Sequence, residues 1–170
     1  AANDASLLCI RARCLYAKGD LDNALRHCKQ AMRSDPDNTE IKAILRKVKD
    51  VEATKAAGTA AYSAGDYDLA VEEWTKCIAL DTNATALNSK LWCNCANART
   101  KMDPPQHEAA VRDCDKAIRL DPNFQKAFLR RAESNLTIGD KPCIMKAIND
   151  YERVAELQQR GPTREASADI

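Results

Sequence analysis

Apolar residues recur at helical spacing along nearly the whole chain. Residues 6–18 carry Leu7, Leu8, Ile10, Cys14 and Leu15 as the apolar side of a first helix. Gly19 is placed to end it, because the residue past a helix C-terminus often needs positive φ. Asp20 is placed to cap a second helix, Leu21–Ser34. Asp35-Pro36-Asp37-Asn38 then breaks the chain, which completes one helical hairpin. The same periodicity predicts helices over 39–64, Tyr67–Leu80, 84–101, His107–Leu120, 124–138 and about 144–159, with Gly161-Pro162 stopping the last.

The hairpin repeats. Gly19-Asp20-Leu21-Asp22-Asn23-Ala24 returns as Gly65-Asp66-Tyr67-Asp68-Leu69-Ala70, and an Asp-led break follows each copy at Asp35-Pro36 and Asp81-Thr82. A third copy has lost the Gly-Asp but keeps Ala110, Cys114, Ala117 and Asp121-Pro122. A fourth keeps Gly139-Asp140 and ends in Ala147, Tyr151 and Val154. Such self-similarity marks stacked supersecondary units, because one hairpin cannot bury its apolar face alone. The copies are unevenly set. Residues 41–52 contain no breaker and extend the third helix as a semi-rigid bridge. Further insertions fall in 83–89, in Asp103-Pro104-Pro105-Gln106 and near Lys141-Pro142-Cys143. The expected organisation is a single hairpin over 1–38, a bridging helix over 39–54, a three-repeat unit over 55–159 and a flexible tail over 160–170.

Composition narrows the class. Hydrophobic residues make up 45%, much of it alanine, and aromatics only 5%, which suits closely approaching helices better than a β-sandwich. Charged residues reach 30% with a net charge of +1, so the basic excess of a dedicated nucleic-acid binder is missing. No stretch approaches the roughly 20 apolar residues of a membrane span, and a cytoplasmic protein is expected. Cys28, Cys77 and Cys114 fall at small-residue packing positions of second helices, and Cys93-Asn94-Cys95 points its two thiols opposite ways. With His27 and His107 as the only histidines, no metal set or cofactor motif emerges, and the cysteines read as small reduced hydrophobes. No nucleophile–base pair or glycine-rich phosphate loop is visible, so no enzyme is expected.

Small residues at Ala12, Gly58, Ala96 and Ala132, opposite Ala24, Ala70, Ala110 and Ala147, resemble the tetratricopeptide-repeat pattern. That resemblance implies an all-α fold of hairpins stacked into a right-handed superhelical array. The intervals between equivalent alanines all exceed the roughly 34 residues of such a unit, the largest excess lying in the bridge. More narrowly, Lys90-Leu91-Trp92-Cys93-Asn94 and Lys126-Ala127-Phe128-Leu129-Arg130-Arg131-Ala132 resemble the C-terminal repeats of the DnaJ subfamily C member 7 co-chaperones. It implies the last part of a repeat region, cut before a J domain. The His-Pro-Asp tripeptide of a J domain does not occur in the sequence.

The resemblance also implies a partner. Family members that bind Hsp70 or Hsp90 tails carry a two-carboxylate clamp on three successive first helices. Mapped by repeat position, Lys55 takes the first Lys place, Asn94 the middle Asn, and Lys126 and Arg130 the last pair. Thr59 stands where the family has Asn. Lys126 and Arg130 are one turn apart on one face, as are Lys55 and Thr59. The expected ligand is an acidic Glu-Glu-Val-Asp tail, with Asn97 and Lys101 as further peptide contacts on a monomer. The alternative is a scaffold with an altered groove that assembles complexes without binding tails. Trp74, Trp92, Tyr62 and Tyr67 read as packing residues between helices.

Overall fold

The computed structural model describes residues 5–159. Their regular structure is eight helices: α1 (Ala5–Ala17), α2 (Leu21–Ser34), α3 (Thr39–Ser63), α4 (Tyr67–Leu80), α5 (Thr85–Arg99), α6 (His107–Leu120), α7 (Gln125–Ile138) and α8 (Lys141–Gln159). They pair as α1–α2, α3–α4, α5–α6 and α7–α8, and each hairpin packs on the next. The expected tail over 160–170 and the Gly161-Pro162 stop lie outside the described residues.

The Gly-Asp signal works as a joint of two parts. Gly19 and Gly65 adopt φ of 77° and 84°, a conformation that costs glycine little. The aspartate that follows accepts from the first turn of the next helix: Asp20 from the Asn23 N–H at 3.2 Å, Asp66 from the Leu69 N–H at 3.1 Å. Asp140 does the same for the Cys143 N–H at 2.7 Å. Lys141-Pro142-Cys143 is therefore an insertion taken up as the first turn of α8, so the helix starts three residues ahead of the predicted 144. Proline fits there because the first-turn N–H groups have no intrahelical partner to lose. In the third copy the lengthened turn puts Gln106 before α6, with no side-chain cap.

Small residues set the helix spacing. Ala24, Ala70, Ala110 and Ala147 are fully buried, as are Ala12 and Ala132. At Gly58 a Cβ would lie 2.5 Å from Trp74 Cδ1, so the indole occupies the space that the missing side chain leaves. Cys28, Cys77 and Cys114 are buried as expected. Burial pushes the Cys77 thiol up to about 11 and that of Cys95 up to about 12, which keeps both protonated. Cys93 and Cys95 do face apart: Cys93 packs with Ala117 and Ala127, Cys95 within the Trp74 core.

Two expectations need correction. On α1 the buried residues are Leu8, Cys9 and Ala12, whereas Leu7 and Ile10 are 40% and 55% exposed and Cys14 is exposed. The apolar stripe is narrower than predicted because α2, α3 and α5 cover one side of this first helix and leave Leu7, Ile10 and Cys14 on the other. Nor does the first hairpin stand off behind the bridge. Ile41 packs with Leu8, Cys9 and Ala31, while Val48 and Val51 join one core with Leu21, Ala24, Trp74 and Leu91. A polar knot adds to it: the Tyr16 hydroxyl donates to Asp81 at 2.9 Å, and Lys47 pairs with the same carboxylate at 2.6 Å. The core passes through the expected boundaries at 38 and 54 without a break.

A candidate cationic groove across three helices

The first helices of the last three hairpins, α3, α5 and α7, carry every candidate clamp residue. On α3, Lys55 and Thr59 share a shallow depression with Glu52, Ala56, Ala60 and Ser63. The Thr59 hydroxyl donates to the Lys55 carbonyl at 3.0 Å, so its one donor is spent inside its own helix. On α5, Asn94 is half-buried, and no hydrogen bond to another described residue engages its amide. On α7, Lys126 is exposed and Arg130 half-buried, one turn apart.

A chain of side chains joins the three helices. Arg130 donates through a terminal guanidinium nitrogen to Asn97 Oδ1, and Asn97 Nδ2 donates to the Tyr62 hydroxyl. Asn97 thus has both ends of its amide engaged and acts as a connector between α3 and α7. Tyr62 also packs, edge-on to Tyr67 at 5.4 Å and against Trp74, as the packing expectation for these residues had it. Its hydroxyl, though, belongs to the groove. Lys101 lies 5.2 Å from the centroid of the same ring, and hydrogen bonding to Tyr62 pushes its ammonium up, holding it charged. Cys93 sits under Arg130 and Lys126: burial raises its thiol, and the two cations oppose that rise.

Charge balance separates these cations from the rest. Arg99 pairs with Asp113 at 2.7 Å, Lys116 with Asp113 at 3.0 Å, and Arg131 with Asp115 and Asp150 at 2.5 and 2.6 Å. Lys55, Lys126 and Arg130 have no carboxylate within ion-pair distance among the described residues. Arg130 rests on a neutral amide, and its Nε is buried without a hydrogen-bond partner. The arrangement presents positive charge on α3 and α7, on either side of the neutral Asn94 of α5, with no carboxylate of the described residues to neutralise it, which suits an extended ligand carrying carboxylates.

Arg130 is brought to Asn97, and Asn97 to Tyr62; Lys55 and Thr59 lie on the turns of α3 preceding Tyr62. Residue patterns alone missed the polar role of Tyr62, and with it His107 and Ser134, which line a cavity beside Arg130. The one available signal was Asn97 itself, a second asparagine a turn beyond Asn94 in a helix that disfavours both.

Stacked hairpins, small residues at the crossings and a groove of first helices define a tetratricopeptide-repeat solenoid, a fold that serves as a protein-interaction scaffold. The chain belongs to the tetratricopeptide-repeat family. The Tetratricopeptide repeat family matches residues 5–38. The chain is 33% identical over 158 residues to DnaJ homolog subfamily C member 7 of Mus musculus, covering 93% of this chain and 31% of the relative. It therefore spans about a third of that relative's length. Among solved structures, the tetratricopeptide domain of P58(IPK) superposes with a TM-score of 0.76 at 18% identity, over 92% of this chain and 42% of that one. The second tetratricopeptide domain of Spaghetti (RPAP3), bound to the HSP90 peptide SRMEEVD, superposes with a TM-score of 0.54 at 32% identity, over 63% and 91%. No helix among the described residues is long and apolar enough to cross a membrane.

Proposed function

We propose that this chain is a co-chaperone's peptide-binding module, whose groove captures an acidic C-terminal tail of the Glu-Glu-Val-Asp type from Hsp90 or Hsp70, without catalysis of its own. The observation that carries this is the set of cations left without carboxylates on the two outer first helices, Lys55 on α3 with Lys126 and Arg130 on α7, flanking the open amide of Asn94 on α5. Lys55 and Asn94 meet the terminal carboxylate, and Lys126 and Arg130 the aspartate side chain beside it. The HSP90 peptide held by the similar RPAP3 domain supports the choice of ligand.

The test compares a heptapeptide ending in a free carboxylate with its C-terminal amide by calorimetry. We expect the amide to bind at least about tenfold more weakly, since it removes a charge-assisted contact. Equal affinity would sink the clamp. A second reading, a scaffold that assembles complexes without tails, draws on one observation, the Thr59 hydroxyl turned back onto its own helix. Light scattering that shows a defined oligomer, with no peptide binding, is its signature.

A further inference from the structure

Behind Arg130, between α5, the second half of α7 and the start of α6, lies a cavity of about 230 Å³. Small residues leave it open: Ala96 lines it, and Ala110 and Cys114 pack against Ala96. Three polar atoms of its lining residues are buried without hydrogen-bond partners, namely Arg130 Nε, Ser134 Oγ and His107 Nδ1. Ser134 is only 2% exposed. A buried polar group left unpaired costs roughly 1–3 kcal/mol, and three of them belonging to residues that line one cavity point to a group that could meet them there.

The donor inventory names that group. Arg130 Nε–H can only donate, and the serine hydroxyl and the imidazole can each donate as well. Their shared complement is an acceptor without protons of its own, a carboxylate. The N-terminus of α6 opens at the same place: His107 is its first residue, and no side chain caps it, so the partial positive charge of the helix end adds to the site. Exposed Glu133 also lines the cavity, which disfavours a doubly charged phosphate more than a single carboxylate. Asn97 holds one terminal guanidinium nitrogen of Arg130, which leaves Nε for the cavity.

We propose that this cavity is a second acidic subsite, which takes the side-chain carboxylate of a glutamate upstream of the tail's last residue. It rests on the tail-binding reading above and adds to it a selectivity determinant, Ser134 with His107, which shares Arg130 with the clamp through its Nε.

The experiment is a double-mutant cycle between protein and peptide. The heptapeptide Ser-Arg-Met-Glu-Glu-Val-Asp and its two single Glu→Gln variants are titrated against the wild-type chain, Ser134→Ala and His107→Ala. We expect one of the two Glu→Gln changes to weaken wild-type binding about tenfold. The same change should cost less than about threefold in Ser134→Ala, because the carboxylate has lost a partner there. If Ser134→Ala lowers the melting temperature markedly, His107→Ala at the start of α6 carries the same cycle. A wild-type chain that separates free carboxylate from amide but binds all three peptides equally overturns the subsite and leaves the clamp standing. Loss of the carboxylate-against-amide distinction instead overturns tail binding itself. A peptide cocrystal with both glutamate side chains in solvent also overturns the subsite.

Discussion

Arg130 and Arg131 are neighbours on α7 and do opposite work. Arg131 turns into the fourth hairpin, where Nε and a terminal nitrogen form a fork onto Asp150 while another nitrogen takes Asp115. Asp150 is 4% exposed, so this is a desolvated, fully satisfied ion cluster, and hydrogen bonding to Asp150 pushes the guanidinium up. Arg130 turns the other way, onto one neutral amide, with Nε unpartnered. What separates the two is the supply of carboxylates: where the chain provides its own, the arginine is mortar, and where it withholds them, the arginine stays open to the proposed tail. Arg99 with Asp113 repeats the first arrangement one hairpin earlier.

The comparison breaks most visibly at Arg131. Arg131→Ala leaves Asp150 buried and uncompensated, and breaking such a pair costs on the order of 3 kcal/mol. Chemical denaturation should show that loss, with peptide affinity unchanged in the fraction still folded. Arg130→Ala should give the reverse pattern. Its melting temperature should move little, since no buried carboxylate is orphaned, while affinity for the tail peptide falls at least about tenfold. If both variants lost stability and neither lost binding selectively, the contrast between the two arginines would collapse. Exposed charge contacts are screened by salt, so the affinity of the wild type should also fall between low and physiological ionic strength.

The backbone of this contrast was legible from residue spacing, and its wiring was not. Tyr67–Leu80 and His107–Leu120 coincide with their predicted spans because a capping or break residue stands at each end or the period runs out there. Gly19-Asp20 and Gly65-Asp66 carry their own turn chemistry in two residues, so no tertiary information is needed to read them. Lys126 and Arg130 came as candidates from the resemblance to clamp-bearing repeats, and their one-turn spacing adds only that they share a face. The Tyr62–Asn97–Arg130 link crosses three helices and depends on rotamers, so no local pattern announces it. The docking of the first hairpin was missed for a similar reason. Val48 and Val51 look like an ordinary helical stripe, and nothing in their spacing says that the stripe faces Leu21 and Leu91 at once.

Thr59 tests how far the groove can be tuned by one side chain. Its hydroxyl is bonded to the Lys55 carbonyl, so the wild type presents a methyl and a spent donor where an amide would reach the ligand. Thr59→Asn should strengthen binding of the free-carboxylate peptide by about 1 kcal/mol, roughly fivefold, with no gain for the amide. A gain for both peptides alike would mean that the new side chain contacts something other than the terminal carboxylate.

The smallest effect is expected where a lysine is paired but half in solvent. At the bridge, Lys47 and Tyr16 share Asp81 across α1, α3 and the α4–α5 turn. Burial alone would push the Asp81 carboxyl up, but hydrogen bonds from Lys47, Tyr16 and the Asn83 N–H together hold it below the ordinary carboxylate range. A carboxyl lowered by folding adds stability above its unfolded value, about 3.9, and loses it as pH falls through the folded value. Asp81→Asn should therefore cost less than about 1 kcal/mol at pH 7, the range of a partly exposed pair. That difference from wild type should shrink in urea titrations as the pH drops below about 4, where the unfolded carboxyl takes up its proton, and should close only below the lowered folded value. A gap that stayed constant from pH 7 to pH 3 would assign the contribution to the hydrogen-bond geometry of the knot and remove charge from its account. The first hairpin would then be held to the groove by packing on Ile41, Val48 and Val51 and by the hydrogen bonds of the knot.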